Sequence, residues 1–113
     1  MKSKLSLKSN LIFSKLYKKG RCLKSPTVVM YYLPNGLDYC RMGITVSKKI
    51  GKAVRRNRTK GLIRESYRSF KNFASGYDIV FVARTKTPEV GFFEVKKDMG
   101  RLLEKSKMVE KQG

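Results

Sequence analysis

Residues 46–68 read Val46-Ser47-Lys48-Lys49-Ile50-Gly51-Lys52-Ala53-Val54-Arg55-Arg56-Asn57-Arg58-Thr59-Lys60-Gly61-Leu62-Ile63-Arg64-Glu65-Ser66-Tyr67-Arg68. The pattern predicts a helix from about Lys52 to Phe73, with Val54, Leu62, Ile63, Tyr67, Phe70 and Phe73 as its apolar positions and Gly76 as its stop. Lys52, Arg56, Lys60, Arg64 and Arg68 recur every four residues. Four residues advance about 400° around a helix, so these cations form one slowly drifting stripe. From Lys48 to Lys71 there are ten basic residues and one acid, Glu65. Each like-charged pair costs about 0.2–0.5 kcal/mol in an isolated helix, so the four pairs cost roughly 1–2 kcal/mol before salt screening. Gly61 adds about 1 kcal/mol relative to Ala. A charge run is usually a solvated face with no ligand, but such a face mixes signs, and this one accepts a cost that a polyanion relieves. Arg55, Arg56, Arg58 and Arg64 also offer planar donors that grip phosphate at two points.

Outward from the helix, Cys40 to Ser47 reads as a strand. Met42, Ile44 and Val46 point one way and Gly43, Thr45 and Ser47 the other, so one face meets a core and the other is a shallow floor suited to a ligand groove. Thr27 to Leu33 reads as another strand, punctuated by Pro34-Asn35-Gly36 and expected to pair antiparallel with Cys40–Ser47 through that turn. A first helix is expected from about Asn10 to Lys18, capped by Ser9 or Asn10 and followed by Gly20, with Phe13, Leu16 and Tyr17 on one face. A short extended stretch, Arg21 to Lys24, follows it. Beyond the basic helix, Tyr77 to Arg84 reads as a buried strand. Pro88 and Glu89 can open a last helix, to about Lys107, with Val95, Met99, Leu102 and Leu103 as its apolar stripe. The order is α-β-β-β-α-β-α, an α+β sandwich with helices against a four-stranded sheet. The 113 residues are expected to form one domain, 1–113, with the last few residues frayed.

Composition narrows the function. Lys and Arg number 27 against 8 Asp and Glu, a net charge of +19, with a hydrophobic content of 41% that suits a folded domain. So much self-repulsion points to a polyanionic partner, and nucleic acid is the obvious one. A membrane is disfavoured, because no helix pattern carries a broad apolar face and the longest apolar run, Ile79 to Ala83, is far too short to span. The basic start MKSKLSLKSN is followed only by Leu11-Ile12-Phe13, too short for a signal-peptide core, so a cytoplasmic location is expected. There is no histidine, and Cys22 and Cys40 lack metal-ligand spacing, so neither zinc nor any other metal site is expected. Two half-buried thiols in a reducing compartment are favoured over a disulfide. Without histidine or an acidic pair, no catalytic residue is expected.

The segment from Val46 to Arg58, continued by Lys60, Leu62, Ile63, Arg64 and Glu65, closely resembles the signature of the bacterial ribonuclease P protein component, with Arg56-Asn57-Arg58 and the preceding Ala53 as its most specific part. Phe13-x-x-x-Tyr17-x-x-Gly20, Val29-x-Tyr31 and the Tyr77–Arg84 strand agree in order, so the resemblance spans essentially the whole chain. It implies the sandwich read above, with a left-handed β-α-β crossover that periodicity alone would not suggest. It also implies a protein subunit that binds a catalytic RNA and holds the 5′ leader of precursor tRNA. That RNA, using magnesium, removes the leader; the protein itself binds no cofactor tightly. Resemblance places Arg56, Asn57, Arg58, Lys60, Arg64 and Arg68 against RNA, with Lys48, Lys49, Lys52 and Arg55 beside them. It places Phe13, Tyr17, Val29 and Tyr31 along the leader groove; spacing alone favours ordinary core for these rings. Thr59 and Gly61 depart from the pattern, which usually has an aliphatic residue and an arginine there. The competing readings are a ribosomal RNA-binding protein and a ribonuclease that acts without RNA.

Overall fold

A computed structural model of the chain describes residues 5–6, 10–70 and 76–106. The elements are β1 (Leu5–Ser6), α1 (Asn10–Lys19), β2 (Arg21–Lys24), β3 (Val28–Pro34), β4 (Arg41–Thr45), α2 (Ala53–Arg68), β5 (Tyr77–Ala83) and α3 (Phe92–Lys105). Short 3-10 turns at Lys48–Ile50 and Thr87–Glu89 lead into α2 and α3. The sheet order is β1-β4-β5-β3-β2. β2–β3 and β3–β5 pair antiparallel, while β4–β5 and β1–β4 pair parallel. The fold is therefore α+β with a mixed sheet and three helices. The four expected strands form its body, and β1 adds two residues at the edge.

Strand alternation divides the apolar residues between two faces. On one face, Val28, Met30, Ile79, Phe81 and Ala83 pack against Ile63, Tyr67 and Phe70 and against Val95, Met99, Leu102 and Leu103 of α3. Met42, Ile44 and Val46 join this cluster from the β4 side, as their alternation requires. On the other face, Val80 packs on Leu16 of α1, flanked by Ile12, Phe13, Tyr31, Leu33 and Val82. Among the described residues α1 is the helix that packs on that face.

The expected pairing of Thr27–Leu33 with Cys40–Ser47 does not form, because β5 lies between β3 and β4. β5 is apolar on both faces, which suits a central position. Stepping over one strand needs roughly 10 Å, a span that residues 35–40 cover easily. β4 is then fixed on β5 by a bidentate pair. Arg41 donates from Nε to Asp78 Oδ1 and from Nη2 to Oδ2, both at 2.8 Å, and Arg41 and Asp78 are register partners. Asn35 Nδ2 donates to the same carboxylate at 2.9 Å, tying the connection to β5.

Helix boundaries also differ from expectation. α2 ends at Arg68 with Ser69 as its C-cap, so Gly76 is not its stop, and Phe73 lies outside the described residues. Ser9, Lys71, Lys107 and the last residues lie outside them too. Val54 is 83% exposed and no part of the core. It stands nine residues, about 900°, from Ile63, hence on the opposite side of the helix. Pro88 lies within a separate 3-10 turn, Thr87–Glu89, and α3 opens after Gly91. Among the described residues neither cysteine is in a disulfide; Cys22 is exposed and Cys40 buried, rather than both half-buried. No helix of the described residues is long and apolar enough to cross a membrane.

Candidate nucleic-acid interface

α1 sorts its side chains by helical position. Leu16 is buried on the sheet, while Phe13 and Tyr17, one turn apart, lie beside it. Their rings are nearly parallel, 17° apart in plane with centroids 6.5 Å apart. Tyr17 meets Tyr31 edge-on at 4.9 Å, and its hydroxyl shares a 2.7 Å hydrogen bond with Thr45 Oγ1. Tyr17 is 42% exposed, so the reading of both rings as ordinary core does not hold for it. Val29 and Tyr31 lie on the same face of β3, beside Val80 and Val82 of β5 and Gly43 and Thr45 of β4. The structure thus brings Phe13, Tyr17, Val29 and Tyr31 to one side of the sheet, where Gly43 and Thr45 of β4 also lie. Burial, and after it the neighbouring Cys22, raises the Tyr31 phenol above its ordinary range, so it keeps its proton at neutral pH.

On the opposite side of the sheet, α2 packs through Thr59, Ile63, Ser66 and Tyr67. Each four-residue step of the basic stripe rotates it by about 40°. Arg56 and Lys60 are accordingly half-buried beside the core face, while Arg64 and Arg68 stand in solvent. Arg68 reaches Glu65 at 3.5 Å, an exposed i,i+3 pair of little strength. Asn57 and Arg58 are exposed, as are Lys48, Lys49 and Lys52 ahead of the helix. Arg56 Nε is the one buried side-chain nitrogen or oxygen among the described residues that lacks a hydrogen-bond partner.

Arg55 is placed differently. Its Nε donates to the Ile50 carbonyl at 3.0 Å, and its Nη2 lies 3.7 Å from Glu89. Gly51, at φ +140°, makes room for this: a Cβ there would stand 2.8 Å from Arg55 Cδ. Arg55 therefore braces the entry to α2, a role its place in a run of arginines does not reveal. Thr59, fully buried, donates its hydroxyl to the Arg55 carbonyl at 2.8 Å within the helix. Among the described residues no group of three or more Cys, Asp or Glu could hold a metal ion.

An aromatic-edged sheet face on one side and an acid-poor arginine helix on the other define a small, strongly basic α+β protein. The family model for ribonuclease P matches residues 1–107. The ribonuclease P protein component of Caldanaerobacter subterraneus subsp. tengcongensis is 45% identical over 114 residues, covering 99% of this chain and 98% of that protein. The structure of the Staphylococcus aureus RNase P protein superposes with a TM-score of 0.83 at 32% identity, over 93% of this chain and 97% of that one. That of Thermotoga maritima gives 0.80 at 36% identity, over 88% and 96%. The chain belongs to the ribonuclease P protein family.

Proposed function

We propose that the chain is the protein subunit of a ribonuclease P holoenzyme, binding the catalytic RNA through α2 and the 5′ leader of precursor tRNA in the α1 groove. The observation that carries this reading is the separation of the two surfaces by the sheet. Phe13, Tyr17 and Tyr31 offer rings to splayed bases, whereas Arg56, Arg58, Lys60, Arg64 and Arg68, with Asn57, offer donors to phosphates. Stacking is worth about 1–3 kcal/mol per base and tolerates sequence variation, so the groove selects single strand over duplex. Lys48, Lys49 and Lys52 extend the cationic surface ahead of α2. In this reading the cut belongs to the RNA, whose bound magnesium would activate a water as the nucleophile and stabilise the leaving oxygen. The protein's part is to hold both RNAs in register.

Reconstitution with the cognate RNA subunit tests this. The protein should lower the magnesium needed for 5′ maturation and favour precursor over mature tRNA. A holoenzyme no better than the RNA alone would refute the assignment. Cleavage of precursor tRNA by the purified, RNA-free protein would move the chemistry to the protein.

A further inference from the structure

α2 starts without the features that usually open a helix. Its N-cap, Lys52, makes no side-chain hydrogen bond, and its first turn carries no acid. Arg55 sits in that turn, where a cation opposes the helix dipole. Its side chain turns back along the chain. The stem lies over Gly51, Nε donates to the Ile50 carbonyl at 3.0 Å, and Nη2 lies 3.7 Å from Glu89 Oε2. Ile50 ends the Lys48–Ile50 turn and is buried in the core, and Glu89 belongs to the turn ahead of α3. Arg55 thus joins three segments. Between Lys48 and Arg64 the chain carries eight cations. Among the described residues, Arg55 alone of these makes an ion pair or a side-chain hydrogen bond. The other seven are free to meet a ligand, while Arg55 is engaged within the fold.

We infer that Arg55 is a positioning residue for RNA binding. It locks the Lys48–Ile50 turn to the first turn of α2, so that the cations on either side of Gly51 meet phosphates as one preorganised surface. Lys48 and Lys49 lie before that glycine, and Lys52, Arg56 and Arg58 lie after it. At φ +140° Gly51 holds a conformation that other residues rarely adopt, and a glycine by itself restrains the angle between the two groups least of all residues. A surface already held in its binding shape loses less entropy on association than one that must be ordered. Arg55 therefore acts through its neighbours and not as a phosphate contact, which separates it from Arg56 and Arg58 in the same run. The inference rests on α2 binding the RNA subunit.

The test measures affinity for the RNA subunit, and its salt dependence, in Arg55→Lys, Arg55→Gln and Glu89→Gln, with circular dichroism to confirm folding. At Glu89 charge and position predict opposite signs. Removing an acid beside a polyanion tightens binding by charge alone, whereas loss of the brace should weaken it roughly two- to threefold. Arg55→Lys keeps the charge but cannot serve both partners from one planar group, so it should weaken binding roughly two- to tenfold. Arg55→Gln should weaken it as much and leave the log–log salt slope nearly unchanged, where a lost phosphate contact would lower the slope by about 0.9. All three variants should also speed amide exchange in the free protein at Ile50 and Gly51, the two N–H groups that close the turn. Wild-type affinity in Arg55→Lys, unchanged or tighter binding in Glu89→Gln, or a slope lowered by about 0.9 in Arg55→Gln would each overturn the inference. Arg56→Ala with Arg64→Ala separates it from the reading it rests on. If that pair leaves affinity and slope intact, α2 is not the contact and the inference falls with it. If the pair weakens binding while Arg55→Lys and Glu89→Gln do not, the positioning role alone falls.

Discussion

Gly61 stands mid-helix on the outward side of α2, where an added Cβ meets no atom within 4 Å. Nothing in the packing requires glycine, so Gly61→Ala should stabilise the protein by up to about 1 kcal/mol in urea unfolding. Gly61→Arg should in addition tighten RNA binding. A clear loss of stability on Gly61→Ala would contradict the open-space reading. Cys40 and Tyr67 make a second residue-scale case. Burial raises the Cys40 thiol above its ordinary 9.0, and burial, then proximity to Cys40, raises the Tyr67 phenol above 10.0. Groups whose folded pKa is raised contribute stability that is complete below the unfolded value and lost as pH climbs through the folded one. Melting temperatures should therefore fall from about pH 9 upward, and the onset of that fall should be shallower in Cys40→Ala. Helical arithmetic overrules composition at this scale: Val54, expected among the apolar positions of the helix, is exposed because it lies a half-turn from Ile63. The bracing role of Arg55 was not readable, because it depends on the backbone angle of Gly51.

At the scale of elements, the apolar stripe of α3 and the alternation of β4 were legible because each is a single period on a single segment. What holds α3 in place was not, since it joins residues far apart in sequence. Asp98, almost fully buried, accepts from the Thr27 N–H at 3.2 Å and from the Thr27 hydroxyl at 2.7 Å, latching α3 to the start of β3. Asp98→Ala would leave both donors unpaired and should cost about 1–3 kcal/mol in denaturant unfolding, while Asp98→Asn, which keeps an acceptor, should cost less. The basic stripe of α2 was legible as a stripe, but its drift assigns unequal surroundings to its members. Replacing half-buried Arg56 and exposed Arg64 by Ala should flatten the salt dependence of RNA-subunit binding by about 1.4–1.8 units of log–log slope. An unchanged slope in a folded double variant would remove α2 from the contact surface.

Across the whole molecule, the strand order was the part that local reading missed. Pro34-Asn35-Gly36 suggested a hairpin, yet tertiary partners decided otherwise: apolar β5 takes the centre, and the Arg41–Asp78 pair draws β4 to it. That insertion has a functional consequence. It joins Thr45, Val82, Val29 and Lys24 into one continuous floor across four strands, with α1 above part of it and α2 behind the sheet. Two surfaces separated by a sheet and sharing no side-chain partner should act independently, with free energies that add within about 0.5 kcal/mol. At saturating protein, Phe13→Ala with Tyr17→Ala should lower the precursor-to-mature affinity ratio by about 1–3 kcal/mol per lost stack and leave RNA-subunit affinity unchanged. Arg56→Ala with Arg64→Ala should do the reverse. The fourfold variant should show the sum of both effects. A coupling energy well above about 0.5 kcal/mol would mean that one RNA strand bridges groove and helix, contrary to the division of labour that the sheet imposes.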